Sequence, residues 1–264
     1  MARRRYEWTE SRIAKYVREG RGRGTGSNYK PWLRVFDVPS LGKSHRVFWP
    51  KTGRVHHLLS DLEYYAFLRH CFDHRTSDIR EQFPLPREDT VEIARQLGVR
   101  HPRREVILVM TTDLLVTQVT PAGRLDRAFA IKEDKELRKE RTLQKLEIER
   151  LYWERRGVPW AIIPSSRLRN THSYNLEWLF GGPSKANAKP EIDSAIRAHL
   201  ADAIKDFEHL PLHAVCGVVD GRLALRAGRT LAMARRMIFE KALLVDLSLG
   251  KLPDQPAARF SVPR

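Results

Sequence analysis

The segment from Val106 to Asp134 constrains the fold of this 264-residue chain most strongly, because its pattern is that of a β-hairpin. Its first half is a long apolar, β-branched run broken by one carboxylate, Asp113. A turn signal of Pro, Ala, Gly and Arg follows, and a shorter apolar run then ends at Lys132. We therefore predict two antiparallel strands joined by a tight turn.

The predicted register places the acid and the base opposite each other. With Ala122–Gly123 as the loop, Asp113 pairs with Lys132 at about 5 Å between Cβ atoms. Ala130 pairs with Leu115 on the same face, and a slip of one residue would separate the two charges. Two interpretations stay open from these residues alone. One is a half-buried ion pair; the other is a nuclease hairpin whose carboxylate holds Mg²⁺ and whose ammonium steadies a phosphate.

The charge balance favours an anionic partner. The chain carries 48 Lys and Arg against 32 Asp and Glu, a net charge of +16, and its pI is about 10.2. The opening sequence is polar, and apolar runs stay below the roughly 18 residues that a membrane span needs, so we expect a soluble cytoplasmic protein without a membrane segment. Two isolated cysteines, Cys71 and Cys216, indicate neither a disulfide framework nor a zinc site.

Excess positive charge is concentrated near the N-terminus. The first 56 residues hold 14 Lys and Arg against four Asp and Glu. Glycines alternate with arginines after residue 20, which is typical of a backbone that contacts phosphates, although a solvated basic linker has the same composition. The residues expected to contact DNA are Arg21, Arg23, Lys43, His45, Arg46, Arg54, His56 and His57.

Glu63 has two open interpretations. Ser60 and Glu63 have the spacing of a helix-capping box, which gives the carboxylate a structural task. Alternatively, the helix begins near His57 and directs Glu63 towards the hairpin.

The order of elements predicts an α/β fold in which helices flank a mixed sheet. The long charged helix over Leu137–Arg156 contains Lys145 and Glu149, which we expect to pair at i, i+4. We place this α/β domain, with its basic N-terminal arm, at residues 1–166. The pattern of residues 167–264 predicts a mainly helical, winged-helix-like domain with a short strand over residues 245–250.

Several strings occur in one order from Glu19 to Leu179 and together resemble the TnsA endonuclease family. They are EGRGRGTGSNYKPWLRV, VPSLGKSHRV, KTGRVHHLLSDLE, DIREQFPL, TTDLLV, ERTLQKLEIERLYW and NLEWL. Members of that family are the DNA-cutting subunits of heteromeric cut-and-paste transposases of the Tn-seven type. Beyond Leu179 only the string GRTLAMAR resembles the family's C-terminal domain.

The resemblance implies a restriction-endonuclease-like fold and Mg²⁺-dependent cutting, with Mn²⁺ as a substitute, of the non-transferred strand at the 5′ ends of a transposon. Glu63 and Asp113 would be metal ligands, Lys132 the catalytic lysine, and the carbonyl of Ile131 a further ligand. The implied partners are transposon-end DNA, a DDE-type transposase subunit, and an AAA+ ATPase bound through the C-terminal domain around residues 228–249.

One departure from the family pattern is Ala130. The family has Gln, and related nucleases have Asp or Glu, two residues before the catalytic lysine. A ligand is therefore missing or supplied from elsewhere; nearby acids are Glu133, Asp134 and Asp73.

Three functions remain compatible with the sequence. The first is an endonuclease that works inside a transposase complex. The second is a DNA-bound scaffold with weak or no cleavage that links the transposase to the ATPase. The third is a free-standing restriction or junction-resolving nuclease, which would cut without a partner.

Overall fold

A computed structural model describes residues 7–38, 43–181 and 190–263. The chain divides into two compact units, Met1–Leu168 and Arg169–Arg264, and we describe each by itself. The predicted domain boundary after residue 166 lies two residues from this division. Part of the loop expected around residues 39–44, and most of the loop expected at residues 181–184, fall outside the described residues. None of the described helices is long and apolar enough to cross a membrane.

The N-terminal unit opens with a helix and a small antiparallel hairpin. Helix α1 spans Glu10–Arg18, and the hydroxyl of Thr9 caps it by accepting the N–H of Arg12 at 3.2 Å. Strand β1 (His45–Trp49) pairs with β2 (Arg54–Leu58). Because residues 54–58 are extended, the helix that follows cannot begin near His57; α2 spans Asp61–Phe72 and has Ser60 as its N-cap.

A mixed four-stranded sheet forms the centre of this unit. Its strands are β3 (Thr76–Pro84), β4 (Thr111–Thr120), β5 (Gly123–Lys132) and β6 (Trp160–Pro164), in that spatial order. Strand β4 pairs antiparallel with both β3 and β5, and β6 runs parallel to β5. This arrangement confirms the predicted mixed sheet.

The hairpin formed by β4 and β5 is present, but its predicted register is wrong by two residues. Thr120 pairs with Gly123, so the loop is Pro121–Ala122, and Leu115 pairs with Ala128 rather than with Ala130. Proline has no N–H to give to the ladder and fixes the φ that a turn requires, which favours Pro121 inside the loop. A shift of two residues leaves every side chain on its predicted face.

Helices cover both faces of the sheet. Helices α3 (Arg87–Gln96) and α4 (Glu140–Glu154) pack on the face that carries Leu115 and Ala128. On the opposite face, the ring of His70 in α2 contacts Phe129, with ring centroids 4.8 Å apart. A short helix, α5 (Ser165–Leu168), ends the unit. The central sheet therefore lies between helices that pack on both of its faces.

The C-terminal unit is mainly helical. It contains α6 (Thr171–Phe180), α7 (Pro190–Asp206), α8 (Leu212–Arg222) and α9 (Arg229–Phe239). The strand predicted over residues 245–250 is wrong: the carboxylate of Asp246 accepts hydrogen bonds from the N–H and the hydroxyl of Ser248, which stabilises a turn there. The described part of this unit holds isolated bridges but no strand pair, so the winged-helix prediction is not confirmed.

Candidate active site

Asp113 and Lys132 meet where β4 and β5 separate. The regular pairing of the two strands stops at Leu114 and Phe129, before either strand ends. In the gap, Oδ2 of Asp113 accepts the backbone N–H of Ile131 at 2.7 Å and Nζ of Lys132 at 2.7 Å. Nζ also donates to the carbonyl of Ile131 at 3.0 Å. The contact predicted between the two charged residues is thus present, although it is diagonal rather than directly cross-strand.

Lys132 is held as an ammonium. Burial alone would lower the pKa of Lys132, but Asp113, Glu149 and Glu63 outweigh burial and raise it. About 30% of the side chain is exposed. A charged, partly accessible ammonium can bind and neutralise a phosphate oxygen.

Glu63 serves the helix cap and faces the hairpin at the same time. Its Oε2 accepts the N–H of Leu59 at 2.9 Å, and its backbone N–H donates to the Ser60 hydroxyl at 3.2 Å, so the capping box is formed. Burial, and next the negative charge of Asp113, raise the pKa of Glu63 to about 7. The predicted helix start near His57 was wrong, but the capping box and the direction of Glu63 towards the hairpin occur together.

Glu149 is a third buried carboxylate at this site, and sequence reasoning missed it. Its Oε1 accepts hydrogen bonds from the Thr112 hydroxyl at 2.8 Å and from the Trp160 indole at 3.1 Å. Burial, and next the charge of Asp113, raise its pKa to about 7. The expected ion pair with Lys145 is not formed, because Glu149 points into the unit while Lys145 is exposed. The signal available in the sequence for Glu149 was its position within an otherwise apolar stripe of α4.

Ala130 lies fully buried, and the same register, continued by one pair, sets it opposite Asp113. Of the nearby acids that could supply the missing ligand, Asp134 accepts from Ser165 and Ser166, and Asp73 accepts from Arg75 and Gln118. Glu133 follows Lys132 directly and is partly exposed. Glu149 instead lies within electrostatic range of Asp113 and Lys132, as Glu63 does.

The donor chemistry at this site fits a hard divalent cation. Glu63 and Asp113 offer carboxylate oxygens and Ile131 offers a carbonyl, which are the ligands that Mg²⁺ prefers. Burial and next the charge of Asp113 raise the pKa values of Glu63 and Glu149, although Lys132 opposes the rise. Among the described residues, no three His, Cys, Asp or Glu side chains are grouped closely enough to hold a metal alone, so a cation would also use the carbonyl or water.

Three of the expected DNA contacts are buried, which corrects their proposed role. Arg21 pairs with Asp37 at 2.5 Å and with Glu19 at 2.8 Å. Arg54 and His56 both bind Glu81 inside the unit, and their exposed fractions are 8% and 0%. Guanidinium and imidazole groups enclosed in this way are not available to a phosphate backbone.

The other predicted DNA contacts lie nearer the surface. Arg23, Lys43 and Arg46 are exposed, and their role in DNA binding stays a prediction. His45 is occupied by Asp61, 2.6 Å from Nε2, and His57 is half-buried against the ring of Phe36.

A second buried carboxylate that the sequence did not single out is Glu81. It accepts two hydrogen bonds from Arg54, at 2.8 and 2.6 Å, and one contact from Nδ1 of His56 at 3.0 Å. The N–H of His57 donates to it as well, at 3.0 Å. These bonds connect β2 to β3, so the cluster fixes the small hairpin against the central sheet.

Two comparisons with known proteins indicate the family to which the chain belongs. Residues 73–165, which include β4, β5 and α4, match the family model described as TnsA-like endonuclease N terminal. The chain is also 40% identical over 242 residues to Transposon Tn7 transposition protein TnsA of Escherichia coli, a match that covers 90% of this chain and 86% of that protein. Identity at this level over nearly the whole of both proteins establishes common descent, and the chain belongs to the TnsA family.

Proposed function

We propose that this protein is a Mg²⁺-dependent DNA endonuclease that cuts the non-transferred strand at the 5′ ends of a transposon. The observation that carries the proposal is the cluster of Asp113, Lys132, Glu63 and Glu149 at the open end of the hairpin. Of these, Asp113, Lys132 and Glu149 lie within residues 73–165, which match the nuclease family model. Carboxylates in excess beside one ammonium suit the cleavage of a phosphodiester assisted by a divalent cation.

Glu63, Asp113 and the Ile131 carbonyl would hold the cation, with Mn²⁺ as a possible substitute. When bound, Mg²⁺ supplies positive charge to the scissile phosphate. Lys132, charged and partly exposed, binds a phosphate oxygen and offsets the negative charge that develops in the transition state. Asp113 orients that ammonium through its Oδ2, and the Ile131 carbonyl gives it a second fixed partner.

Glu149 acts as a positioning residue. Hydrogen bonds from Thr112, which directly precedes Asp113 in β4, and from Trp160 fix its carboxylate. Its negative charge helps to keep Lys132 protonated. It also brings to the cation site the negative charge that Ala130 does not provide.

The partners follow from the relative, whose name describes a transposition protein of Tn7. We propose that this chain works with a DDE-type transposase subunit that cuts the other strand and recognises the transposon ends. The C-terminal unit would bind an AAA+ regulatory ATPase around residues 228–249.

Ala130 favours one alternative, a DNA-bound scaffold with weak or no cleavage. The absent ligand would then have removed efficient catalysis while assembly with the transposase persists. This alternative and the endonuclease predict different outcomes in a single nicking experiment.

The test is strand-specific nicking of a mini-transposon plasmid by the full chain with its purified partner transposase and Mg²⁺. Wild type is compared with Asp113→Ala, Lys132→Ala and the control Lys135→Ala, which removes a nearby exposed lysine. We expect a 5′-strand break from wild type and the control, and at least a roughly hundredfold to thousandfold loss in the two site variants. No break from wild type on assembled ends would favour the scaffold, and a break that survives both site variants would place the chemistry elsewhere.

A further inference from the structure

A basic cavity of about 760 Å³ lies between the end of α3 and the start of α4. Its lining includes four arginines, Arg100, Arg103, Arg104 and Arg141, and we call them the pocket arginines. All four are exposed, and none forms an ion pair within the described part of the chain. Cations gathered without carboxylate partners repel one another, which makes the cavity a site for an anion.

The net charge around the pocket arginines is strongly positive. The lining also includes His101, and its one acid is Glu140, which accepts a hydrogen bond from Gln144 at 3.0 Å. Arg141 is fixed in place by hydrogen bonds to the carbonyl of Arg100 at 2.5 Å and to Gln144 at 3.0 Å. A guanidinium held in this way pays little entropy when it binds a phosphate.

Helix α4 contributes residues both to the cavity and to the candidate active site. Arg141 and Lys145 are exposed and follow one another at i, i+4 spacing, and Glu149, one turn further along α4, is buried. Burial, and next the charges of Lys132 and Arg141, lower the pKa of Lys145, so Lys145 lies within electrostatic range of both. From Glu149 to Arg141 the helix advances about 12 Å, which corresponds to three or four phosphates of one strand.

We propose that the pocket arginines and Lys145 bind the backbone of the DNA strand that leads away from the scissile phosphate, with the cavity holding a phosphate about three or four nucleotides from it. This inference rests on the proposed function for the position of the scissile phosphate. It assigns backbone binding to α4 and the loop after α3, in place of Arg21, Arg54 and His56, which are occupied inside the unit. Phosphate contacts position a duplex without reading its sequence, which fits recognition delegated to a partner.

The first arm of the test measures the affinity of the full chain for a fluorescein-labelled 30-base-pair duplex at salt concentrations from 50 to 200 mM without divalent cations. The variant is Arg103→Gln/Arg104→Gln, because neither side chain has a recorded hydrogen bond among the described residues. The matched control is Arg124→Gln/Arg127→Gln, which removes the same charge from exposed positions at the other end of the hairpin.

We expect the pocket variant to lower, by about two, the slope of log affinity against log salt concentration, and to lower the affinity at 50 mM salt roughly tenfold. The control should change the slope and the affinity much less. Equal losses in the two variants would mean that net charge alone matters, and would overturn the proposal. A wild type without salt-dependent affinity for the duplex would overturn it as well.

The second arm locates the contact. Transposon-end duplexes with one neutral methylphosphonate at successive positions are assembled with the partner transposase, and their binding to wild type and to the pocket variant is compared. We expect neutral phosphates three or four nucleotides from the cut to weaken wild type but to add no further loss in the pocket variant. Additive losses at every position would overturn the assignment.

The outcomes separate this inference from the proposed function, because neither arm requires cleavage. If wild type fails to nick in Mg²⁺, the proposed function fails whatever the duplex affinities show. If wild type nicks and the pocket variant binds and nicks like the control, only the pocket assignment fails. Loss of transposase binding with unchanged DNA affinity would show a face for an acidic protein instead, and would also overturn it.

Discussion

Two buried carboxylate clusters in the N-terminal unit contrast in their charge balance. Glu81 is surrounded by donors, with Arg54 and His56 on its oxygens. Burial alone would raise the pKa of Glu81, but the hydrogen bonds from Arg54 and His56 outweigh burial and lower it well below its usual value. At the hairpin, three carboxylates share the ammonium of Lys132, and the pKa values of Glu63 and Glu149 rise to about 7.

The difference shows how one residue type serves two purposes. A buried acid whose charge is fully matched contributes to folding, because its donors already satisfy it. A group of buried acids with too little positive charge costs stability and creates affinity for a further cation. The fold therefore stabilises itself at Glu81 and keeps unbalanced charge at the site that we propose to be catalytic.

The largest effect is expected from Glu81→Gln. The substitution leaves Arg54 buried beside a neutral amide, so we expect the free energy of unfolding to fall by about 3–5 kcal/mol. Urea unfolding followed by circular dichroism measures it. Glu92→Gln is the matched control, because it removes an exposed ion pair with Arg95 and should change stability little. A stability loss at Glu81 as small as that of the control would show that the cluster is not structural.

The same change at Glu149 should act in the opposite direction on stability. Its carboxylate is ionised at a cost at pH 8, so Glu149→Gln should stabilise the protein in EDTA by about 2 kcal/mol. Since the pKa is raised on folding, this gain should disappear as the pH falls from about 7 towards 4.5, where the folded wild type binds a proton. Unfolding of wild type and Glu149→Gln at pH 8 and at pH 5 measures the difference in their stability at each pH. A variant less stable than wild type at pH 8 would contradict the contrast between the clusters.

Glu149→Gln should also reduce Mg²⁺-dependent nicking roughly tenfold to a hundredfold, because it removes charge and a fixed neighbour from the site without removing a proposed ligand. The control is Glu147→Gln, which lies two residues away on α4 and pairs with Arg150 near the surface. If Glu149 only packs the core, nicking by the variant should equal that of the control, and its dependence on Mg²⁺ concentration should not shift.

The smallest effect concerns His56. Burial lowers its pKa, so folding favours the neutral ring, with Nδ1 donating to Glu81 and Nε2 accepting from the Thr52 hydroxyl. The unfolded chain therefore binds a proton first, and the stability that His56 contributes should decline as the pH falls below about 6.5. Unfolding of wild type and His56→Gln between pH 8 and pH 5 should show a difference that narrows in acid; a difference that widens would contradict the neutral assignment.

The sequence was sufficient for the parts of the site that rest on local patterns. The apolar runs and the turn predicted the hairpin, and strand periodicity put Asp113 and Lys132 on one face even though the loop was misplaced. The capping box at Ser60 was correct as well, because it depends on residues three positions apart.

The parts that the sequence could not provide depend on long-range packing. Arg54 and His56 look like surface cations until β3 brings Glu81 to them, 25 or more residues along the chain. Glu149 looks like half of an i, i+4 pair until α4 packs on the sheet and Thr112 and Trp160 reach its carboxylate. Local spacing does not encode which face of a charged helix the fold buries.

Divalent cation binding tests the central claim most directly. Isothermal titration of the full chain with Mg²⁺ at pH 7, in two buffers of different ionisation enthalpy, measures both affinity and the protons released. We predict that wild type binds with release of about one proton, because carboxylates with pKa values near 7 must ionise, and that Asp113→Asn loses this binding. Binding that is unchanged in Asp113→Asn, or no binding by wild type, would contradict the claim that the unbalanced cluster is a cation site.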